Sequence, residues 1–264
     1  MAPALRGICQ GALLLLLAAT APAEEAPVPF IGPPKPPPPI ILKKYAGDVF
    51  GLAPFLLEIP LDDDGDGHAD QVGMPLLRNF EDPACFRLDR TGEAILFRVR
   101  SGDPRMKGES FPRSELRELS KQGDGPAAWS TGEGLVHTLS ISLSFTRLPA
   151  GAPVSALSLH GEGGEILALR HEGGKVVLSR ASLAPIVLAE PYEPGTPIEF
   201  LLVLAKGEAN LLSGSKSLAE WPLEGKGLQF RVGCVLEHEP GSSGKPPSLA
   251  EVSISKLYLT HKAR

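Results

Sequence analysis

The chain has 264 residues, 42% of them hydrophobic and 6% aromatic, with 29 glycines and 27 prolines. Glycine and proline at this level favour turns and short strands over long helices, and the length suits one sizeable β core. Its 26 basic and 31 acidic residues give a net charge of −5, which gives no sign of the basic surface a nucleic-acid partner needs and requires any acidic ligand to be held by a local positive site.

The first 23 residues carry one basic side chain, Arg6, then an apolar run from Gly11 to Ala19 and the small-residue pattern Ala21-Pro22-Ala23. This reads as a secretory signal peptide over 1–23. The apolar run is too short to span a membrane, and Cys9 precedes it, where a lipid-bearing cysteine would follow. Cleavage leaves 25 basic and 31 acidic residues, a net charge of −6. The expected destination is extracellular or periplasmic, with no membrane association after cleavage. Residues 24–46 contain the run Pro33 to Pro39, which favours extended polyproline II and reads as a semi-rigid tether. The folded domain is expected over 47–264.

Between the apolar stretches "PFLLEIPL" and "MPLL" lies "DDDGDGHAD". Asp62, Asp64, Asp66 and Asp70, with Gly67, match part of a calcium loop. Position 12 is Gly73 instead of glutamate, so the EF-hand pattern is incomplete. Structural Ca2+ and a solvated acidic hairpin are the two readings.

From Val49 onward the sequence alternates with period two. In "LVHTLSISLSF", Leu135, His137, Leu139, Ile141, Leu143 and Phe145 share one face, with small polar residues opposite. "EAILFRVR", "PFLLEI", "VSALSLH", "EILALRH", "KVVLSR", "PIEFLLVLA", "LQFRVGCVLE" and "EVSISKLYLTH" are further strands. Only "GPAAWSTGE" and "LAEWPLEG" leave room for a short helical turn. Many strands with one apolar face each must stack as two sheets, so an all-β sandwich of jelly-roll type is predicted. Cys85 and Cys234 remain after cleavage, and either a disulfide or two buried thiols fits them. No CxxC or Cys/His cluster indicates zinc.

The charged strand "PRSELRE" puts Arg113, Glu115 and Arg117 on one face. "VSALSLH" offers Ala156, Ser158 and His160. "QFRVGCVLE" offers Gln229, Arg231, Gly233, Val235 and Glu237, with Phe230, Val232, Cys234 and Leu236 toward the core. The face is either a solvated ion-pair surface or a site for an acidic ligand, since the arginine fork matches a carboxylate. His160 is the side chain there that exchanges a proton near neutral pH.

These motifs resemble the alginate lyase family, polysaccharide lyase family 7. "RSELR" at 113–117 matches its first motif, "SLH" at 158–160 keeps the histidine of the second, and "QFRVGCVLE" at 229–237 keeps Phe230 and Gly233 of the third, with Arg231 for lysine. The resemblance runs over about residues 50–262. It implies a jelly roll with the site on its concave sheet, a uronate polysaccharide as partner, and β-elimination with no cofactor. Arg113 and His160 are then the catalytic candidates, and Arg113, Glu115, Arg117, Ser158, Arg231 and Glu237 the substrate-binding ones. The family's glutamine is Ser158 here, its catalytic tyrosine is Val235, and its last glutamine is Glu237. The resemblance thus leaves two readings, a divergent lyase and a non-catalytic jelly roll that binds acidic glycan. A monomer is expected.

Overall fold

The computed structural model describes residues 45–264 apart from Glu133, residues 239–247 and Arg264. The expected signal peptide and the proline run lie outside the described residues. Among the described residues fifteen antiparallel strands are seen: β1 (Phe55–Ile59), β2 (Asp70–Val72), β3 (Phe86–Leu88), β4 (Ile95–Arg100), β5 (Arg113–Glu118), β6 (Leu135–Arg147), β7 (Val154–Gly161), β8 (Gly164–Glu172), β9 (Lys175–Arg180), β10 (Leu183–Ala189), β11 (Ile198–Ala205), β12 (Glu208–Ser213), β13 (Lys216–Pro222), β14 (Gln229–Leu236) and β15 (Leu249–Ala263). They form an eight-stranded sheet in the order β10-β9-β8-β7-β14-β5-β1-β2 and a seven-stranded sheet in the order β13-β12-β11-β6-β15-β4-β3. This is the predicted β-sandwich of jelly-roll type.

The alternation read from the sequence is what stacks the two sheets. Leu139, Ile141, Leu143 and Phe145 of β6 and Phe230, Val232, Cys234 and Leu236 of β14 all lie in the shared core. Each large apolar side chain buried this way contributes about 1.5–3 kcal/mol. The odd residues of β5 face away from the core, while Ser114, Leu116 and Glu118 point inward. Ser114 Oγ donates to the carbonyl of Cys85 at 2.9 Å. Cys85 and Cys234 are separate buried thiols, and burial pushes both well above the ordinary thiol value.

Three expectations change. "LAEWPLEG" holds no helical turn: its first part belongs to β13, which seats Trp221 in the core. "GPAAWSTGE" is irregular and bridges the sheet through Trp129 and Leu228. In β7 the register shifts between Ser155 and Leu157. That bulge turns Ala156 into the core and brings Ser155 to the polar face in its place. A bulge of this kind inserts one unpaired residue and resets the alternation beyond it.

At one end of the sandwich the core is polar. Glu118, 3% exposed, accepts hydrogen bonds from Trp129 Nε1 at 3.1 Å and from the Phe230 backbone N–H at 2.8 Å. His261 Nε2 lies 2.8 Å from its carboxylate. His261 Nδ1 in turn meets His137 Nδ1 at 2.6 Å, and His137 Nε2 meets the carbonyl of Ser130 at 3.1 Å. The Trp129 ring stacks on His137, with centroids 4.0 Å apart.

Candidate active site

The face of the eight-stranded sheet turned away from the core gathers the predicted charges in register. Arg117 of β5 pairs across to Arg231 of β14, which pairs across to Ser158 of β7. One step along each strand pair, Glu115 faces Gly233, and Gln229 faces His160. Gly233 is what lets β14 and β5 come this close. A Cβ there would sit 2.6 Å from Glu115 Cα and would also strike the carbonyl of Ser114.

Arginine and glutamate alternate through this face. Arg113 Nη1 donates to Glu115 at 3.2 Å and lies 3.9 Å from Glu58, while Arg117 Nη1 lies 3.2 Å from Glu58. Arg231 Nη1 is 3.9 Å from Glu115. Glu109, from the loop between β4 and β5, accepts from Arg113 Nη2 at 2.8 Å and from Arg231 Nη1 at 3.1 Å. Burial pushes the Glu115 carboxyl up to about 7, against the pull of Arg113 and Arg231. Arg113 keeps its charge whether or not Glu115 carries a proton, because Glu109 and Glu58 face it as well.

His160 sits at the edge of this cluster, half-buried. Burial, then the charge of Arg231, lowers it from 6.5 to about 4; Glu109 opposes the shift, and Arg113 and Arg170 add to it. Its imidazole is therefore neutral at neutral pH and able to accept a proton. Being uncharged, it adds no positive charge against a bound carboxylate. Gln229 is placed beside it, with its Oε1 unpaired among the described residues.

Glu237 lies just beyond β14 and is not left to repel a ligand. Arg170 Nε donates to it at 2.7 Å, and Ser155 Oγ also bonds it. Val235, at the tyrosine position, is buried. The chain's three tyrosines are placed elsewhere. Tyr192 hydroxyl donates to the Thr196 carbonyl at 2.7 Å, Tyr258 stands on β15 of the opposite sheet, and Tyr45 precedes the first 3-10 turn.

The structure thus brings Arg113, Glu115, Arg117, Ser158, His160 and Arg231 together and sets Glu237 in a side network. It adds Glu58, Glu109 and Arg170, which the sequence reading does not single out. Glu58 sits in an apolar strand and Glu109 in a loop without periodicity. Arg170 shares a face with Ala168 in β8, alternating with the core residues Leu167 and Leu169, and is open to the same argument as Arg113.

The acidic stretch joins β1 and β2 as a hairpin loop, with Gly65 and Gly67 at φ 77° and 86°, values that favour glycine. One oxygen each of Asp62, Asp64 and Asp66 lie within 4.8 Å of one another. Asp70 stands outside that group, and its Oδ2 accepts from the Asp63 N–H at 2.7 Å. The loop is tied to the one carrying Glu109, because the Ala69 N–H donates to the Arg105 carbonyl at 3.0 Å.

An antiparallel sandwich with an arginine pair on an internal carboxylate beside a neutral histidine is an arrangement whose chemistry suits an acidic ligand on a sheet face. Comparison with known proteins narrows it. The profile of the alginate lyase family matches residues 50–185, just over half of the chain, and the chain belongs to that family. An alginate lyase from Klebsiella pneumoniae is 35% identical over 79 residues, which is 30% of this chain and 26% of that protein. The match thus spans about a quarter of that relative's length. Among solved structures, alginate lyase AlgAT5 from polysaccharide lyase family 7 superposes with a TM-score of 0.74 at 25% identity, over 83% of this chain and 99% of that one. The alginate lyase from Corynebacterium sp. shares the fold, with a TM-score of 0.74 at 21% identity over the same shares. The third motif, at 229–237, lies beyond the residues the family profile matches.

Proposed function

We propose that the protein is a secreted polysaccharide lyase that cleaves a uronate-containing polysaccharide, alginate or a chemical relative of it, by β-elimination. The observation that carries this reading is the convergence of Arg113 and Arg231 on one carboxylate at 2.8 and 3.1 Å, next to an imidazole kept neutral by its surroundings. Elimination starts at C5 of a uronate, whose proton is only weakly acidic. Guanidinium groups aimed at the adjacent carboxylate stabilise the enolate-like charge that develops there. A neutral His160 takes the C5 proton, the C4–O bond breaks, a C4=C5 double bond forms, and the departing oxygen takes a proton from solvent water, His160 returning its own to solvent afterwards. No step needs a metal or an organic cofactor.

Val235 favours a second reading, a jelly roll that binds acidic glycan without cleaving it. Loss of a positioned acid costs about two to four orders of magnitude in rate. Incubation with a panel of uronate polymers, followed by ultraviolet absorbance of the unsaturated product, separates the two. A rise in absorbance supports the lyase, whereas binding to a glycan array with no rise on any polymer supports the binder.

If His160 is the base, kcat/KM of the lyase rises with pH through a limb near pH 4, and His160→Asn removes that limb. A limb unchanged in the variant would exclude His160 as its source. Stability follows the same group. Between pH 6.5 and about 4 the unfolded chain takes up a proton that folded His160 refuses. The contribution is therefore complete above 6.5 and is lost as pH falls through about 4.

We also propose that the Asp62, Asp64 and Asp66 loop holds structural Ca2+. Three carboxylates suit a hard cation, and Asp62 Oδ1 has no partner among the described residues. Calcium should raise the Tm and chelator lower it. Equal Tm values would leave a plain acidic turn.

A further inference from the structure

Glu109 is held in the manner of a ligand. Its two oxygens are split between arginines of neighbouring strands, Oε2 on Arg113 at 2.8 Å and Oε1 on Arg231 at 3.1 Å. Glu58 and Glu115 are each 2% exposed and fixed by their strands. Glu109 is different: it comes from a loop, and its side chain is 34% exposed. Beside it a cleft of about 370 Å³ opens toward His68 and Arg105, giving the side chain somewhere to go.

We propose that Glu109 is a resident carboxylate in the uronate subsite: it fills the Arg113–Arg231 pair in the free protein, and a ligand's carboxylate must take its place to bind. The inference rests on the uronate reading of the site. Exchange of one carboxylate for another leaves the charge between the two arginines unchanged. A neutral sugar offers no such exchange, since displacing Glu109 would leave two buried guanidiniums short of a partner, a costly state. Glu109 is therefore a specificity-determining residue. It makes the site selective for carboxylated sugars by setting a competitor that only another anion can replace. A resident competitor weakens apparent affinity by the fraction of molecules whose site is open.

The test is calorimetric binding of alginate tetrasaccharide and of tetragalacturonate to the full chain, with Tm recorded for each variant. Glu109→Gln should bind the acidic probe about tenfold more tightly, as expected when about a tenth of wild-type sites are open. Glu109→Asp keeps the charge but is one methylene shorter and cannot span both arginines, so it too should tighten binding. Unchanged or weaker binding by Glu109→Gln overturns the proposal. So does tightening by Glu109→Gln with Glu109→Asp equal to wild type, because the effect would then come from net charge and not from occupancy. Failure of every variant to bind either probe would overturn the uronate reading and this inference with it. Wild-type binding that the variants leave unchanged removes the role of Glu109 alone.

Discussion

Arg113→Lys is expected to lower turnover of a uronate polymer by about 10²–10³ while leaving the protein folded. Lysine is the informative replacement because Arg113 serves two purposes. It is 6% exposed and lies between Glu58, Glu109 and Glu115. Alanine would strip the buried Glu58 and Glu115 carboxylates, and the part-exposed Glu109, of their counter-charge, and breaking a buried pair typically costs about 3–5 kcal/mol. Lysine keeps the charge but replaces a planar fork with a single point donor, so the loss falls on the geometry that, on the proposed reading, holds the substrate carboxylate. Initial rates of unsaturated product, with a denaturation curve for each protein, separate the two contributions. A folded Arg113→Lys variant with unchanged turnover would show that the carboxylate is held elsewhere.

The second large effect lies at the far end of β5. Glu118→Ala should destabilise the fold by about 2–5 kcal/mol, at about 1–3 kcal/mol for each buried donor left without its acceptor, read as a lower denaturant midpoint. The carboxylate accepts from Trp129 and from the Phe230 backbone, and it faces His261. Without the carboxylate, Trp129 Nε1 and the Phe230 N–H, both buried donors, lose their acceptor, and His261 loses the group it faces. A loss below about 1 kcal/mol, the typical net worth of one hydrogen bond, would contradict this.

Alternation made most of the sandwich legible. "LVHTLSISLSF" and "QFRVGCVLE" announce which side chains face inward, and the strands they predict are found with those faces buried. Strands of three residues, such as β2 and β3, are too short to show a period. The site was legible where charges sit on an alternating strand, as at Arg113, Glu115, Arg117 and Arg231. It was illegible where position depends on the third dimension. Glu58 reads as an interruption in "FLLEI" until β1 is seen to lie beside β5. Glu109 has no pattern around it. The exchange of Ala156 for Ser155 depends on a bulge that leaves no mark in the sequence. His137, Glu118 and His261 are assembled from three distant segments, and only the pairing of β6 with β15 brings the histidines together.

The interleaving of Arg113, Arg117 and Arg231 with Glu58, Glu109 and Glu115 also governs how a polyanion reaches the protein. A cluster so nearly self-neutralised projects little field beyond its own contacts, and the chain around it is net negative. At physiological ionic strength whatever field remains fades within about 8 Å. The protein therefore does not draw an acidic polymer in from a distance, as a bare basic groove would. On the proposed reading, attraction begins only once a carboxylate is within reach of the arginines, and the choice of ligand is made at contact, one sugar unit at a time.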